Sequence, residues 1–370
     1  MTDKGKIGGL QGLRAIAAVL VVLQHSIYFA CTAKGVDFLP FLPIGFGQMG
    51  VGIFFVISGY VMTLCLKQGA MFMPQRIARI YPAFWASIAL SGIVLPMLGR
   101  EWHLDAYSLT LLPASVFNEF YAVPYWTLVY EMVFYAIMYV LILARLSRRE
   151  ISFALGAWAA LIIVSCQFGV HEFPNDVSAM LAGKWILLSP ANLEFIAGAL
   201  YGLVWKDALK GANPMMLAIQ ALILFLIAQT VGPMPYYVRY ALWGVSFMLV
   251  LHLVQGVSFG RALERAGDYS YGLYLAHTIF IGVAMYLMVR FAAGAPLFAY
   301  LITAMGTALV GGFAFGKVEF WFHSTVIKDA LQRLPSRKLV KADPVVASGS
   351  GKDDAAAAVL EGVQDNRPAS

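Results

Sequence analysis

The stretch LQGLRAIAAVLVVLQHS, residues 10–26, is apolar enough to lie in a membrane, yet it contains Arg14 and His25. In an α-helix, eleven positions correspond to a rotation of about 1100°, about 20° more than three turns, and to a rise of about 16 Å. The two side chains therefore share one face of the predicted helix, with His25 the deeper. Ionisable residues inside a membrane often belong to functional cavities. The alternative is structural, an arginine that reaches the headgroups and a histidine that only makes a packing hydrogen bond.

The whole chain has the composition of a polytopic membrane protein. Of its 370 residues, 60% are apolar and 12% are charged, and the mean hydropathy is +0.74, well above that of an ordinary soluble domain. Apolar runs recur at residues 15–29, 51–66, 84–98, 128–143, 153–168, 186–205, 215–231, 240–254, 269–291 and 297–315. Since a membrane helix needs about 20 residues, the sequence predicts an all-α fold with about ten transmembrane helices.

The distribution of basic residues predicts the orientation of these helices. If the N-terminus is cytoplasmic, most of the 26 lysines and arginines lie in cytoplasmic segments, as the positive-inside rule requires. An even number of spans then places both termini in the cytoplasm. This topology accounts for the net charge of +6, so we expect membrane lipid but no nucleic acid as a partner. A signal peptide over residues 1–31 is the alternative, but SIYFACTAKG makes a poor cleavage site.

Prolines predict where helices end, and composition predicts how the chain is divided into segments. Seven prolines lie between apolar runs, where a missing N–H costs little, and they therefore predict helix ends. They are Pro82, Pro96, Pro124, Pro190, Pro214, Pro233 and Pro296. We expect a transmembrane domain at 1–320 and a basic juxtamembrane segment at 321–341 along the inner leaflet. Residues 342–370 are rich in Ala, Ser, Gly and Asp, which predicts a disordered cytoplasmic tail.

The stretch FMPQRIARIYPAFW, residues 72–85, contains two arginines at the start of the third predicted span. Arg76 and Arg79 are three positions apart, so they share a helix face and can bind phosphate groups bidentately. Anchoring at the cytoplasmic surface is the alternative. Together with Arg14 they would place three guanidinium groups at one membrane surface.

Other polar residues fall within the predicted spans. In YWTLVYEMVFY, residues 125–135, Glu131 lies about 21 Å from Arg145 along the helix, a depth similar to that of His25. We therefore expect His25 to be its partner, although Glu131 could instead only tie helices together. His277 could face the same cavity or make an interhelical hydrogen bond. Small residues predict close helix packing in MGVGIFFVISGYVM, residues 49–62. They are Gly50, Gly52, Ser58 and Gly59.

Five stretches, taken together, resemble the acyltransferase 3 family, integral-membrane O-acyltransferases that modify bacterial surface and secreted glycans. Arg14 and His25 match its Arg-x10-His signature, and IFFVISGYVM (53–62) is similar to its FFVxSG stretch. RIAR (76–79) matches RxxR, WTLVYEMVFY (126–135) matches WTLxxExxFY, and GDYSYGLYLAH (267–277) matches SYxxYLxH. The five matches occur in the family's order over about residues 8–320.

The resemblance implies an acyl donor and a set of roles. The donor would be a cytosolic acyl-CoA, usually acetyl-CoA, which is a co-substrate rather than a permanently bound cofactor. His25 would act as general base or as transient acyl carrier. The site residues expected from the sequence are His25 and Glu131 for catalysis, Arg14, Arg76 and Arg79 for the coenzyme, and Trp126, Tyr135 and His277 for substrate binding. No metal is expected, because the three cysteines lie far apart without metal-ligand spacing.

The resemblance also implies an acceptor and a location. The acyl group would go to a hydroxyl of a glycan or lipid-linked glycan, with exopolysaccharide precursors ahead of O-antigen, in the bacterial cytoplasmic (inner) membrane. The main alternative is a transporter or flippase for a lipid-linked glycan, in which His25, Glu131 and His277 form a polar pathway. A second alternative is a non-catalytic scaffold in polysaccharide export.

Overall fold

The computed structural model of the chain describes residues 3–42, 44–113, 123–170, 183–230 and 234–333, and no residue in these ranges forms a β-strand. The helices are α1 (Asp3–Lys34), α2 (Phe46–Leu64), α3 (Phe72–Met97), α4 (Trp126–Leu143), α5 (Arg148–Gln167), α6 (Asn192–Leu200), α7 (Lys206–Ala208), α8 (Pro214–Thr230), α9 (Tyr236–Val254), α10 (Arg261–Asp268), α11 (Ser270–Phe291), α12 (Leu297–Phe322) and α13 (Lys328–Arg333). The prediction of an all-helical fold is confirmed for this part of the chain.

Within the described ranges, eight helical stretches are long and apolar enough to cross a membrane, namely those built on α1 to α5, α9, α11 and α12. Two further predicted runs are shorter helices. α8 has 17 residues, and the run at 186–205 forms α6 followed by a π-helical turn, Tyr201–Trp205. The expectation of about ten spans therefore stays a prediction, as does the cytoplasmic position of both termini.

The prolines mark helix ends at all but one of the predicted positions that the structure describes. Pro96 lies in the last turn of α3, Pro190 and Pro296 lie just before α6 and α12, and Pro233 is outside the described residues. Pro124 lies just before α4, and Pro214 is the first residue of α8. Pro82, however, lies inside α3, which begins ten residues earlier at Phe72. The prediction of a helix end at Pro82 was wrong. Membrane helices tolerate proline because neighbouring groups satisfy the freed carbonyl, and α3 can therefore carry both arginines and Pro82 without interruption.

Glycines let the central helices approach each other closely. A Cβ atom at Gly59 of α2 would meet the Phe195 carbonyl oxygen of α6, and a Cβ atom at Gly198 of α6 would meet the Val56 carbonyl of α2. Gly50 likewise faces the Ala17 carbonyl of α1. The prediction of close packing is confirmed for Gly50 and Gly59, and also for Gly52, where a Cβ atom would meet the Glu194 side chain of α6. It was wrong for Ser58, whose hydroxyl donates to Glu131.

The segment after α3 folds back along that helix. Trp102 Nε1 donates to Ser91 Oγ at 3.0 Å, and Trp85 Nε1 donates to the Leu109 carbonyl at 3.1 Å. Trp85 lies about three turns before the end of α3. Residue 109 is therefore level with the middle of α3 rather than with its end.

The C-terminal part of the described chain continues α12. A π-helical turn, His323–Ile327, joins α12 directly to α13, which ends at Arg333. The predicted juxtamembrane segment therefore starts as an extension of α12. Residues 334–341 of that segment and the predicted tail at 342–370 lie outside the described residues, so the proposed division into three parts stays a prediction.

Candidate active site

One cavity brings together residues from five helices. Its volume is about 120 Å³, enough for several water molecules. Arg14 of α1 and Arg76 and Arg79 of α3 line it, so the three arginines predicted to act together do meet. The polar lining is completed by Ser58 of α2, Thr127, Glu131 and Tyr135 of α4, and Tyr271 and Tyr274 of α11. The rest of the wall is apolar, which strengthens electrostatic interactions inside the cavity.

Arg79 is held by an ion pair that the sequence analysis missed. Its Nη1 donates to Oε1 of Glu319 on α12, and its guanidinium lies over the Tyr271 ring at 4.9 Å. The side chain of Glu319 is only 5% exposed. The signal in the sequence was a single carboxylate following an apolar run, which needs a buried partner in a membrane.

Arg76 lies in the cavity wall and is 4% exposed. Its guanidinium lies between the rings of Phe72, at 5.3 Å, and Tyr135, at 5.9 Å. Its Nη2 donates to Cys65 Sγ at 3.2 Å and approaches Gln68 Oε1 at 3.4 Å. Aromatic faces stabilise a guanidinium with little loss of its donor capacity. Arg76 is thus oriented by its surroundings before any ligand binds.

Arg14 lies within electrostatic range of three carboxylates and of Arg79. The carboxylates are Glu131, Glu319 and Asp268, the last of which ends α10. Asp268 accepts a hydrogen bond from Gln11 at 2.7 Å, and burial raises the pKa of its carboxyl. Arg79 is thus paired with Glu319, and the three carboxylates near Arg14 offset part of its charge.

Glu131 faces the arginines, and the prediction that it pairs with His25 was wrong. It accepts hydrogen bonds from Ser58 Oγ, at 2.9 Å, and from the Tyr135 hydroxyl. The error came from counting depth from Arg145. Residues 102–109 lie along α3, and Thr127 at the start of α4 already bonds Tyr274, at 2.7 Å. Glu131 lies one turn further along α4, toward Arg76.

His25 pairs instead with His277, just beyond the end of the cavity. His277 Nε2 lies 3.3 Å from His25 Nδ1, and the two rings meet edge to face with centroids 4.9 Å apart. Among the described residues that line the cavity, neither histidine appears. Tyr274 connects the two regions, because it lines the cavity and its ring centroid lies 6.0 Å from that of His277.

The three residues expected to bind substrate have different surroundings. Tyr135 lines the cavity and donates to Glu131. His277 is fully buried beside His25. Trp126, the first residue of α4, stands edge-on to Tyr130 at 6.1 Å and is not among the described lining residues of the cavity. Tyr271 and Tyr274 were present in a quoted motif but were not assigned a role, and both line the cavity.

Comparison with known proteins identifies the family. The sequence profile of an acyltransferase domain, that of the acyltransferase 3 family, matches residues 7–317. The exopolysaccharide production protein ExoZ of Rhizobium meliloti (strain 1021) is 29% identical over 306 residues, covering 74% of this chain and 88% of ExoZ. Nodulation protein 10 of Rhizobium leguminosarum bv. viciae is 23% identical over 353 residues, covering 83% of this chain and 90% of the relative.

A third relative is BcsY of Komagataeibacter xylinus, named as a candidate membrane-bound transacylase. It is 26% identical over 342 residues, covering 83% of this chain and 81% of BcsY. No solved structure matches the chain significantly. The profile covers most of the chain, and the apolar helices agree with a multi-pass membrane protein. The chain therefore belongs to the acyltransferase 3 family.

Proposed function

We propose that the protein transfers an acyl group from acyl-CoA to a hydroxyl of a surface or secreted glycan, and that this acyl group is acetyl. The observation that carries the proposal is the meeting of Arg14, Arg76 and Arg79 in one cavity. Tyr274 also lines this cavity, and its ring centroid lies 6.0 Å from that of His277, which pairs with His25. The arginines can bind the phosphate groups of a donor, and the histidine pair provides a nitrogen base for the reaction. Membership of an acyltransferase family supports the same reaction class.

The arginines fit the phosphates of a coenzyme. Guanidinium groups present planar pairs of donors that bind phosphate oxygens bidentately, with hydrogen bonds stronger than neutral ones. Glu319 pairs with Arg79, and Glu131 and Asp268 lie near Arg14. Phosphates would replace the carboxylates as partners of the arginines, so binding exchanges one set of charge pairs for another.

The distance along α1 fits the length of the donor. Arg14 and His25 are about 16 Å apart along the helix axis, on the order of the reach of an extended pantetheine arm. With its phosphates at the arginines, the coenzyme would deliver its thioester next to His25. Tyr274 lies between the two ends and is the side chain that the arm would pass.

Two routes of transfer are compatible with this geometry. In the first, His25 takes the proton of the glycan hydroxyl, the oxygen attacks the thioester carbonyl, and the C–S bond breaks as the thiolate takes up the proton. In the second, the imidazole attacks the thioester and releases the thiolate. The hydroxyl then attacks the acyl-imidazolium and loses its proton, the imidazole leaves, and the thiolate takes up a proton. Both give an ester and free coenzyme A. The second allows donor and acceptor to approach from opposite sides of the membrane.

The acceptor is proposed from the relatives. ExoZ is named for exopolysaccharide production, so we take an exopolysaccharide precursor as the first acceptor to test and O-antigen as the second. A donor made in the cytosol and an acceptor bound for the surface both fit a protein of the bacterial cytoplasmic membrane. A transporter of lipid-linked glycans would also use buried polar residues, but it gives no reason for three arginines in one cavity.

Turnover by purified protein tests the proposal. The full chain in lipid vesicles is mixed with acetyl-CoA labelled in the acetyl group, with and without glycan acceptor, and release of free thiol and label in the glycan are measured. We expect thiol release that depends on the protein and is lost in His25→Ala. The matched control is His252→Ala, because His252 lies in α9 and bonds Tyr201 rather than the site.

Two results would contradict the proposal. Thiol release no faster than in empty vesicles would favour a transporter or scaffold, because neither consumes thioester. Equal turnover by wild type and His25→Ala would remove His25 from the reaction. Mass spectrometry of the glycan from a deletion strain then identifies the acyl group and the modified hydroxyl.

A further inference from the structure

The hydrogen bonds of His277 determine which of its ring nitrogens carries hydrogen. Its Nδ1 lies 2.7 Å from the Tyr274 carbonyl oxygen. A carbonyl oxygen can only accept a hydrogen bond, so Nδ1 must be the donor. In a neutral imidazole the other nitrogen, Nε2, then has a free lone pair and is an acceptor. His277 is 0% exposed, so its acceptor nitrogen is directed into the protein and toward His25.

The same argument applies to His25. Its Nδ1 lies 2.9 Å from the Val21 carbonyl oxygen, one turn earlier in α1, and must therefore carry hydrogen. That N–H also faces His277 Nε2 at 3.3 Å, so it is shared between two acceptors. The remaining nitrogen of His25, Nε2, is then unprotonated, and it makes no hydrogen bond to any residue that the structure describes.

We infer that His277 is a positioning residue that, together with the Val21 carbonyl, holds His25 in the tautomer whose reactive nitrogen is Nε2, and that it supports the positive charge that His25 acquires during transfer. This inference rests on the proposed acyl transfer. It gives His277 a function in the reaction other than substrate binding. The role is the one that a carboxylate plays for a catalytic histidine, here performed by a neutral imidazole.

The role holds for either route. If Nε2 takes the proton of the acceptor hydroxyl, His25 becomes an imidazolium, and the proton passes to the departing thiolate when the C–S bond breaks. If Nε2 takes the acyl group, the ring becomes an acyl-imidazolium until the hydroxyl attacks. In both cases the charged ring donates its Nδ1–H more strongly, and His277 Nε2 is the buried acceptor beside it.

The surroundings of His277 keep this acceptor in place. Tyr274, whose carbonyl fixes the His277 ring, has its own hydroxyl 2.7 Å from the Thr127 hydroxyl and donates to the Pro124 carbonyl at 3.0 Å. The same residue therefore ties α11 to the start of α4 and orients His277. Glu131 is not available for this role, because it bonds Ser58 and Tyr135.

The first test compares two replacements of His277 with a matched control. His277→Phe keeps a ring but removes the acceptor, whereas His277→Gln retains a side-chain carbonyl that can accept. We expect His277→Phe to lower kcat on the order of 100-fold with KM for acetyl-CoA unchanged, and His277→Gln to recover most of that loss. The control, His252→Phe, removes a second membrane histidine bonded to Tyr201 and outside the site, and should keep wild-type kcat.

A kcat for His277→Phe within about threefold of wild type would overturn the inference. It is overturned as well if His277→Gln is as inactive as His277→Phe while both remain folded, because then the acceptor is not what matters. A parallel rise in KM with constant kcat would assign His277 to donor binding instead.

A second measurement requires neither turnover nor a substitution of His277. Nitrogen-15 NMR of wild-type protein labelled at histidine distinguishes protonated from bare ring nitrogens, with His25→Ala identifying the signals of His25. We expect a protonated Nδ1 and a bare Nε2. The opposite tautomer would overturn the inference even if turnover is normal. Absence of turnover with the expected tautomer would instead count against the proposed function.

Discussion

Arg79 and Glu319 form a charge pair inside the protein, and their burial determines what a single substitution does. Their side chains are 18% and 5% exposed. Removing one member of a buried pair leaves the other charge without compensation, which costs about 3 to 5 kcal/mol. Arg14 lies within electrostatic range of Arg79 and adds repulsion once the carboxylate is gone.

We therefore predict that Glu319→Gln lowers the free energy of unfolding by about 3 kcal/mol, seen as a lower midpoint of thermal unfolding in detergent. Coenzyme A should raise that midpoint more in the variant than in wild type, because its phosphates supply the missing negative charge. The double variant Arg79→Gln with Glu319→Gln should recover much of the stability but lose this response to coenzyme A.

Asp207→Asn is the matched control for the buried pair. Asp207 pairs with Lys210 at 2.5 Å, but these side chains are 77% and 72% exposed, and exposed pairs contribute at most about 1 kcal/mol. Equal destabilisation by Glu319→Gln and Asp207→Asn would show that burial of the Arg79 pair has no special effect. An unchanged response to coenzyme A would separate Arg79 from ligand binding.

The packing of α2 against α6 depends on positions without a side chain. Gly59 and Gly198 each face a carbonyl of the opposite helix, so any Cβ atom there requires the helices to move apart. Membrane helices associate through such close contacts because lipid offers no hydrophobic driving force. Since α2 also contributes Ser58 to the cavity, a displacement of α2 would alter the partner of Glu131.

We predict that Gly59→Ala destabilises the protein by about 1 to 3 kcal/mol, the usual cost of overpacking, and reduces turnover together with stability. Gly156→Ala is the matched control. Gly156 also lies within a membrane helix, α5, but no atom lies within 4 Å of the position of a Cβ there. Thermal unfolding and size-exclusion profiles of both variants provide the measurement. A Gly59→Ala protein as stable as Gly156→Ala would contradict the close packing.

The helices themselves follow from the sequence, but their relative depth does not. Hydropathy located α1 and α11 well, because a long apolar segment in lipid must satisfy its backbone hydrogen bonds internally and therefore forms a helix. It misplaced the start of α3, whose first turns contain Arg76 and Arg79, and it could not show that the segment after α3 folds back to Leu109. Depth counted along a single helix therefore failed for Glu131.

At the scale of the whole molecule, the site was predictable in part. The spacing of Arg14 and His25 fixed their separation, because one uninterrupted helix carries both. The partners were not predictable, since Glu319 and His277 come from helices distant in the sequence. Charge balance predicts that a buried arginine needs an acid, but only the folded chain shows that Glu319 of α12 supplies it for Arg79. The packing of α1 against α11 likewise brings His277 to His25.

The proposed acyl transfer requires that one donor molecule contact the three arginines and His25 at the same time. The most direct measurement is a cryo-EM structure of the full chain with an acetyl-CoA analogue whose sulfur–carbonyl link cannot be cleaved. We predict phosphate oxygens about 2.7 to 2.9 Å from the guanidinium nitrogens of Arg14, Arg76 or Arg79, and the carbonyl carbon about 3 to 3.5 Å from His25 Nε2. An analogue bound with its phosphates away from these arginines, or with its acyl end separated from His25, would contradict the account.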